Sequence, residues 1–319
     1  MKSGRRNDAG VALLITLLVL VLIVILAMEI FRTGARAAQT GAFGRDSIRA
    51  GLIAEAGAAA ARIALRENAK QYAYDTLDQV WSRPVPQIDL GDGTILVAVE
   101  DEERKINLNR LVLANGNAPD EQRLAVFRKL LVIMDIEPSF ADAVVDWLDN
   151  DDTPRVGGAE SAYYLSLPFP YRAKNDLFDT LDELRLVRGF TPEKFEKLKP
   201  FLTVHSSGAV NLNTSPKELL MALSAGQDAA EGGEIDSAAA DQIVEYRKGT
   251  PFKDPRDIRN VSPALRDLYD KTRFRDLIDI KGTAFHVRAT GDVAGTYRTV
   301  DAVGVRAGND IQWRYWRLE

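Results

Sequence analysis

The chain has 319 residues, 46% hydrophobic and 27% charged, with 41 basic against 46 acidic side chains and a formal charge of −5. This composition excludes a disordered, collagen-like or small disulfide-stapled chain, and the length allows more than one core. The absence of cysteine excludes disulfides, thiolate catalysis and Cys-ligated metals, and the mild acidity gives no overall pull toward nucleic acid.

Val11 to Met28 is an unbroken run of 18 uncharged residues, Thr16 being its one polar member. At ~1.5 Å per helical residue such a run is just long enough to cross a hydrocarbon layer of ~30 Å. Lys2, Arg5 and Arg6 precede it with Asp8, which holds the N-terminus on the cytoplasmic side and sends the rest of the chain outward. A cleaved secretory signal is the competing reading, but its apolar core is shorter, ~7 to 15 residues, and ends at small residues. The Gly10-Val11 junction between basic leader and apolar run resembles the leader of type IV prepilins. In that class a prepilin peptidase cuts after the Gly, here between Gly10 and Val11, and methylates the new N-terminus, leaving the helix in the membrane. Most members carry Glu at the fifth mature position, where this chain has Ile15. A carboxylate in hydrocarbon persists only with a partner. In the class that partner is the amine of an adjoining subunit, so its loss points to the end of a filament.

After Met28 the sequence is rich in Ala and Gly, with Ile30, Ile48, Ile53, Ile63 and Leu65 as sparse large apolar residues and Ala56 and Ala58 to Ala61 as helix formers. A long helix continuing out of the membrane is expected. It is read either as packing into a helical bundle or as lying against its own domain. Pro84, Pro86 and Gly91-Asp92-Gly93 then lead into a β-branched run, Thr94 to Val99, followed by the polar DEERK segment. Two or three further strands are expected after residue 284, with Gly291 and Gly295 marking turns.

Between these strands lies a helical middle with an internal repeat. Ile106-Asn107-Leu108-Asn109 recurs as Val210-Asn211-Leu212-Asn213, 104 positions on; Ala141 to Val145 answers Ala240 to Val244 at 99; and Phe178-Asp179-Thr180 answers Phe252-Lys253-Asp254 at 74. The falling offset places an insertion of about 25 residues between Val145 and Phe178 of the first copy. Asn107, Asn109, Asn211 and Asn213 read as buried structural amides tying backbone. Ser215-Pro216-Lys217-Glu218 reads as a capping box, and Thr191-Pro192 and Ser262-Pro263 as cap-then-Pro helix starts. Leu184 to Phe190 resembles a helix-hairpin-helix turn, but Gly189 has no second hairpin Gly and Asp179, Asp182 and Glu183 crowd it, which argues against phosphate binding.

Within the insertion, Asp149, Asp151, Thr153 and Glu160 fall at positions 1, 3, 5 and 12 of a calcium-loop spacing. Pro154 stands where an EF-hand needs Gly, and the flanks do not read as its helix pair. Asp149, Asp151, Asp152 and Glu160 are the expected ligands of a structural Ca2+, with Asp146 in reserve; a solvated acidic loop is the plain alternative. The Tyr163-Tyr164 and LPFPY set is expected to be buried beside it. The two histidines, His205 and His286, lie 81 residues apart without a zinc or nucleophile motif around them.

The leader, Ile15, INLNRL, ADAVVDWLDNDDTPRVGGAE, YYLSLPFPYRAKNDLFDTLDELRLVRGF and VNLNTSPKELLMAL together resemble the type II secretion system minor pseudopilin K family over nearly the whole chain. The resemblance implies an α+β fold: a long N-terminal transmembrane helix on a small antiparallel, pilin-like sheet, with a large inserted all-α domain. That domain would contain the duplicated helix-hairpin-helix-like units and calcium. It divides the chain into a leader (1–10), a transmembrane helix (11–32), a pilin-like helix with first strands (33–105), the inserted α-domain (106–281) and closing strands (282–319). It implies no enzymatic activity, no nucleic acid, and a single-pass protein of the bacterial inner membrane with its bulk in the periplasm. Its partners would be minor pseudopilins I and J, the major pseudopilin and the prepilin peptidase, and its work the start of a pseudopilus that supports export of folded proteins. A type IV pilus minor pilin and a membrane-anchored periplasmic hydrolase are the alternatives.

Overall fold

The computed structural model describes residues 8–83, 87–225 and 233–319, with side chains from Gly10 onward. Lys2, Arg5, Arg6, Pro84 and Pro86 lie outside the described residues.

One helix, α1 (Asp8–Gln71), runs unbroken for 64 residues. Its first part is bare: Val11 to Met28 is exposed along its length, long and apolar enough to cross a membrane. Contact with the rest of the molecule starts near Ser47, where Ala50, Ala54, Ala58, Ala61 and Leu65 are buried. These residues recur every three or four positions and form one stripe. The buried face is thus built mainly from small residues, while Ile48 and Ile63 point to solvent. A narrow face lets the helix backbone lie close to a sheet.

That sheet has five antiparallel strands in the order β1-β2-β7-β8-β9: β1 (Ile88–Asp89), β2 (Thr94–Asp101), β7 (Ala284–Val293), β8 (Thr296–Ala307) and β9 (Asp310–Leu318). Alternate residues Val287 and Ala289 of β7 and Val300 and Ala302 of β8 meet Ala54, Ala58 and Ala61 of α1. The β7–β8 turn is made by Ala294 and Gly295, both at positive φ. Gly291, expected at a turn, instead sits inside β7, paired with Ile95 and Arg298. A Cβ there would collide with the Ala50 carbonyl of α1 and stand 3.0 Å from the Ala54 nitrogen, so the helix crosses the sheet where β7 has no side chain. Gly291→Ala is expected to cost about 1 to 3 kcal/mol, read as a lower urea midpoint. Gly34→Ala, with nothing within 4 Å of it, should not lower it.

Between β2 and β7 the chain builds a separate helical region. It holds β3 (Ile106–Asn107), α2 (Glu121–Ile133), α3 (Phe140–Leu148), α4 (Ser161–Leu165), α5 (Pro192–Leu198), β4 (Leu202–Thr203), β5 (Val210–Asn211), α6 (Lys217–Ala222), α7 (Ser237–Gly249), α8 (Pro263–Lys271) and β6 (Ile278–Asp279). One continuous core runs through it from Ile106 to Ile280, with Phe127, Tyr164, Phe252 and Phe274 among its fully buried side chains. Thr191 and Ser262 accept from the backbone N–H of Lys194 and Leu265, capping the helices that start at Pro192 and Pro263. Ser215 does not cap: α6 starts one residue later behind Pro216, and the Ser215 hydroxyl is buried without a hydrogen-bond partner.

Candidate metal centre

The two halves of the helical region repeat one set of hydrogen bonds. Asn107 Oδ1 accepts from Asn109 N–H and Asn211 Oδ1 from Asn213 N–H, each at 2.9 Å. Asn109 then exchanges two bonds with the Phe178 backbone, at 2.9 and 2.7 Å, and Asn213 two with Phe252, both at 2.9 Å. Glu183 and Asp257 each accept from the two backbone N–H groups at the start of the next turn. In both halves a short parallel ladder closes the unit, β3 with β4 and β5 with β6. An amide is needed here because one side chain must accept from the N–H and donate to the C=O of the same residue. Asn213→Ala would strand the buried Phe252 N–H and C=O and is expected to cost about 2 to 3 kcal/mol, measurable by denaturant unfolding.

The insertion that interrupts the first copy carries the acidic loop. It leaves α3, whose residues are nearly all buried, at Asp149, whose N–H still bonds the Val145 carbonyl. Asp151 folds the next residues back by accepting from Thr153 N–H at 2.7 Å. Asp146, fully buried, accepts from Arg155 N–H at 3.1 Å and holds the far side of the loop. Gly158 passes directly over the Asp146 carboxylate, where any Cβ would collide with it. Arg155 is itself paired with Asp142 at 3.0 Å.

This path brings together one carboxylate oxygen each of Asp149, Asp151 and Glu160, all within 4.8 Å of one another. Asp152 stands outside this group; it is exposed and its Oδ1 faces the Asn175 amide at 3.4 Å. Asp149 is 6% exposed and Glu160 3%. Asp149 Oδ1 and both oxygens of Glu160 are buried with no hydrogen-bond partner. A native interior seldom leaves three acceptor atoms unmet. Burial, and next the neighbouring carboxylates, pushes Glu160 up to about 8; burial also lifts Asp149, next to Asp151, and Asp146 to about 6. Hard oxygen donors, orphaned and mutually repelling, are the donor set that a divalent cation such as Ca2+ satisfies.

The aromatic set beside the loop is only partly interior. Tyr164 is fully buried between Trp147 and Tyr171, with ring centroids at 5.2 Å from each, whereas Phe169 of LPFPY is 87% exposed. Tyr171 fixes that segment by donating to the Leu186 carbonyl at 2.7 Å.

A second polar cluster had no signal in the sequence. Asp101, Glu102, Glu103 and Lys105 of the DEERK run, charged enough to read as solvated, are buried where the sheet meets the helical region. Glu103 accepts from the backbone N–H groups of Ser207, Thr283 and Ala284 and from the Thr283 hydroxyl. Asp101 accepts from Asn211 Nδ2 at 2.8 Å and the Thr214 hydroxyl at 2.7 Å. Asp75, from the segment after α1, pairs with Arg306 of β8 at 2.9 Å and accepts from Gly282 N–H. Nearby, Glu100, Glu102 and His286 also bring donor atoms within 4.8 Å, but Lys105 already bridges the two glutamates at 2.6 and 2.8 Å and Asp301 holds His286 at 2.7 Å.

A family model for protein K of the type II secretion system matches residues 104–207, the stretch that contains the acidic loop. Type II secretion system protein K of Pseudomonas aeruginosa is 31% identical over 266 residues, 79% of this chain and 76% of that protein. The protein K of Aeromonas hydrophila is 28% identical and covers 94% of both chains. In structure, the chain is similar to one in the crystal structure of the GspK-GspI-GspJ complex from the enterotoxigenic Escherichia coli type 2 secretion system. The TM-score is 0.71 at 19% identity, over 89% of this chain and 99% of that one.

Proposed function

The chain belongs to the type II secretion system protein K family, a family of non-enzymatic pseudopilins, and from that premise we propose that it is the minor pseudopilin that caps the pseudopilus tip. It acts there with minor pseudopilins I and J to start a filament, joined below by the major pseudopilin, that supports export of folded proteins. The observation that carries this reading is the contrast along α1: a bare apolar stem at one end and, at the other, a sheet bearing a bulky helical region. The apolar stem cannot leave the bilayer unless other apolar stems take over its burial. Ile15, exposed on that stem, offers no carboxylate to a neighbour's amine, which suits a subunit with nothing stacked above it. The GspK relative of similar fold was solved with GspI and GspJ, which supports the same partners here.

On this reading prepilin peptidase cuts between Gly10 and Val11, the mature helix spans the inner membrane once from a cytoplasmic N-terminus, and the remainder is periplasmic. The helical region is a duplicated, helix-hairpin-helix-like unit that holds structure instead of nucleic acid. Asp149, Asp151 and Glu160 would hold a Ca2+ that neutralises the acidic loop and fixes the insertion to α3. The test is a deletion strain complemented with the tagged chain. N-terminal sequencing should begin at Val11, I and J should co-purify, and secretion should fail in the deletion. Normal secretion without the chain, together with no I or J in the purified material, would overturn the reading.

A further inference from the structure

We propose that Arg32 and Arg36 form a binding site for the phosphate groups of anionic phospholipids in the outer leaflet. The proposal rests on the reading of Val11 to Met28 as a retained span. It deepens that reading by naming what holds the stem at its outer end.

α1 continues as one helix through and beyond the apolar run, so depth follows from residue number at ~1.5 Å per residue. Arg32 lies four residues past Met28 and Arg36 eight, about 6 and 12 Å beyond the hydrocarbon edge. The headgroup zone on each face is about 5 to 8 Å thick. Helical side chains lean toward the helix N-terminus, which here is the bilayer side, so both guanidinium groups reach back toward the phosphates. Spaced by four, they share one face of the helix. Both are exposed, and among the described residues neither has a carboxylate partner. Glu29, the one acid nearby, is a turn closer to the hydrocarbon. Phe31, 77% exposed, is the kind of ring that settles at a membrane interface.

The charge pattern supports a role. Lys2, Arg5 and Arg6 all precede the Gly10-Val11 junction, and no Lys or Arg lies between Val11 and Phe31. Once a leader ending at Gly10 is removed, Arg32 is the first basic side chain of the chain. Electrostatic attachment to lipid then passes from the cytoplasmic to the outer leaflet. Arg45 and Arg49 lie 9 and 13 residues beyond Arg36, about 25 Å or more past the hydrocarbon edge and beyond the screening length from the phosphates.

The absence of cysteine allows one probe. The full chain carrying Gly34→Cys, a position with nothing within 4 Å, is labelled with an environment-sensitive dye. It is reconstituted in phosphatidylcholine vesicles with or without a third of phosphatidylglycerol. The expected result is a blue shift of emission in the anionic vesicles that falls by more than half in R32Q/R36Q and survives in R32K/R36K and in R45Q/R49Q. Equal emission in both vesicles, or an undiminished shift in R32Q/R36Q, would overturn the proposal. So would inorganic phosphate reproducing the shift in neutral vesicles. Failure of the retained span would look different, because the chain would not stay with the vesicles under alkaline extraction.

Discussion

Millimolar calcium is expected to raise the melting temperature of the full chain, and Glu160→Gln to abolish that response while making the calcium-free protein more stable than the parent. At a hundredfold excess over Kd a single site contributes about 2.7 kcal/mol, or about 5 to 10 °C for a region of this size. The two effects share one cause. Without a cation, folding must either protonate Glu160 or bury its charge with both oxygens unmet, a cost that an amide avoids; with a cation it is a ligand, so the amide removes the site. The pH dependence follows in sign. Burial holds Asp149 at about 6 and Glu160 at about 8, above their ordinary 3.8 and 4.5. A carboxyl raised in the folded state favours its neutral form there. The contribution of these two groups to the calcium-free protein is therefore fully present only below about pH 4, and is lost as pH rises toward 8. Calcium binds the ionised form, so its stabilisation grows across the same interval. Differential scanning fluorimetry at several pH values, with calcium or chelator, reads both. A melting temperature indifferent to calcium at pH 8 would remove the cation from the account and leave the loop merely acidic.

Asp75→Ala is expected to cost about 3 to 5 kcal/mol because it leaves the Arg306 guanidinium buried without its counter-charge. The two side chains are 2% and 6% exposed, and Arg306 already has one nitrogen without a partner. Removing both charges together is different in kind: the double change Asp75→Ala with Arg306→Met should recover much of the loss, since an apolar replacement of a buried pair is often neutral. A denaturation cycle over the parent, the two single variants and the double variant measures this coupling. Two losses that simply add would show that the pair does not act as a unit.

The parts of the fold written in periodicity were legible in the sequence. The apolar run, the Ala-rich continuation of α1 and the alternating strands all carry their period in residue type, and the asparagine motifs mark both copies of the repeat. What could not be read depends on contacts distant in sequence. Asp101, Glu102, Glu103 and Lys105 look solvated until Asn211, Ser207 and Thr283 are placed around them. Gly291 resembles a turn glycine until α1 lies across it. In the acidic loop, residue spacing names Asp149, Asp151 and Glu160, which the fold brings together, but it cannot separate Asp151 from its neighbour Asp152, because only the turn at Thr153 decides which carboxylate comes within reach of the other two. The LPFPY segment is half outside for a related reason: Tyr171 and Tyr164 secure it from one side and leave Phe169 exposed.

The buried junction has a mechanical consequence. Asp75 follows the stem helix, Asp101 ends the second strand, and Glu103 reaches backbone both within the helical region and just after it, so four stretches of chain, at 75, 101–103, 207–211 and 282–284, are tied at one buried point. A displacement of the stem is therefore expected to reach the sheet and the helical region together, because the same buried carboxylates hold both.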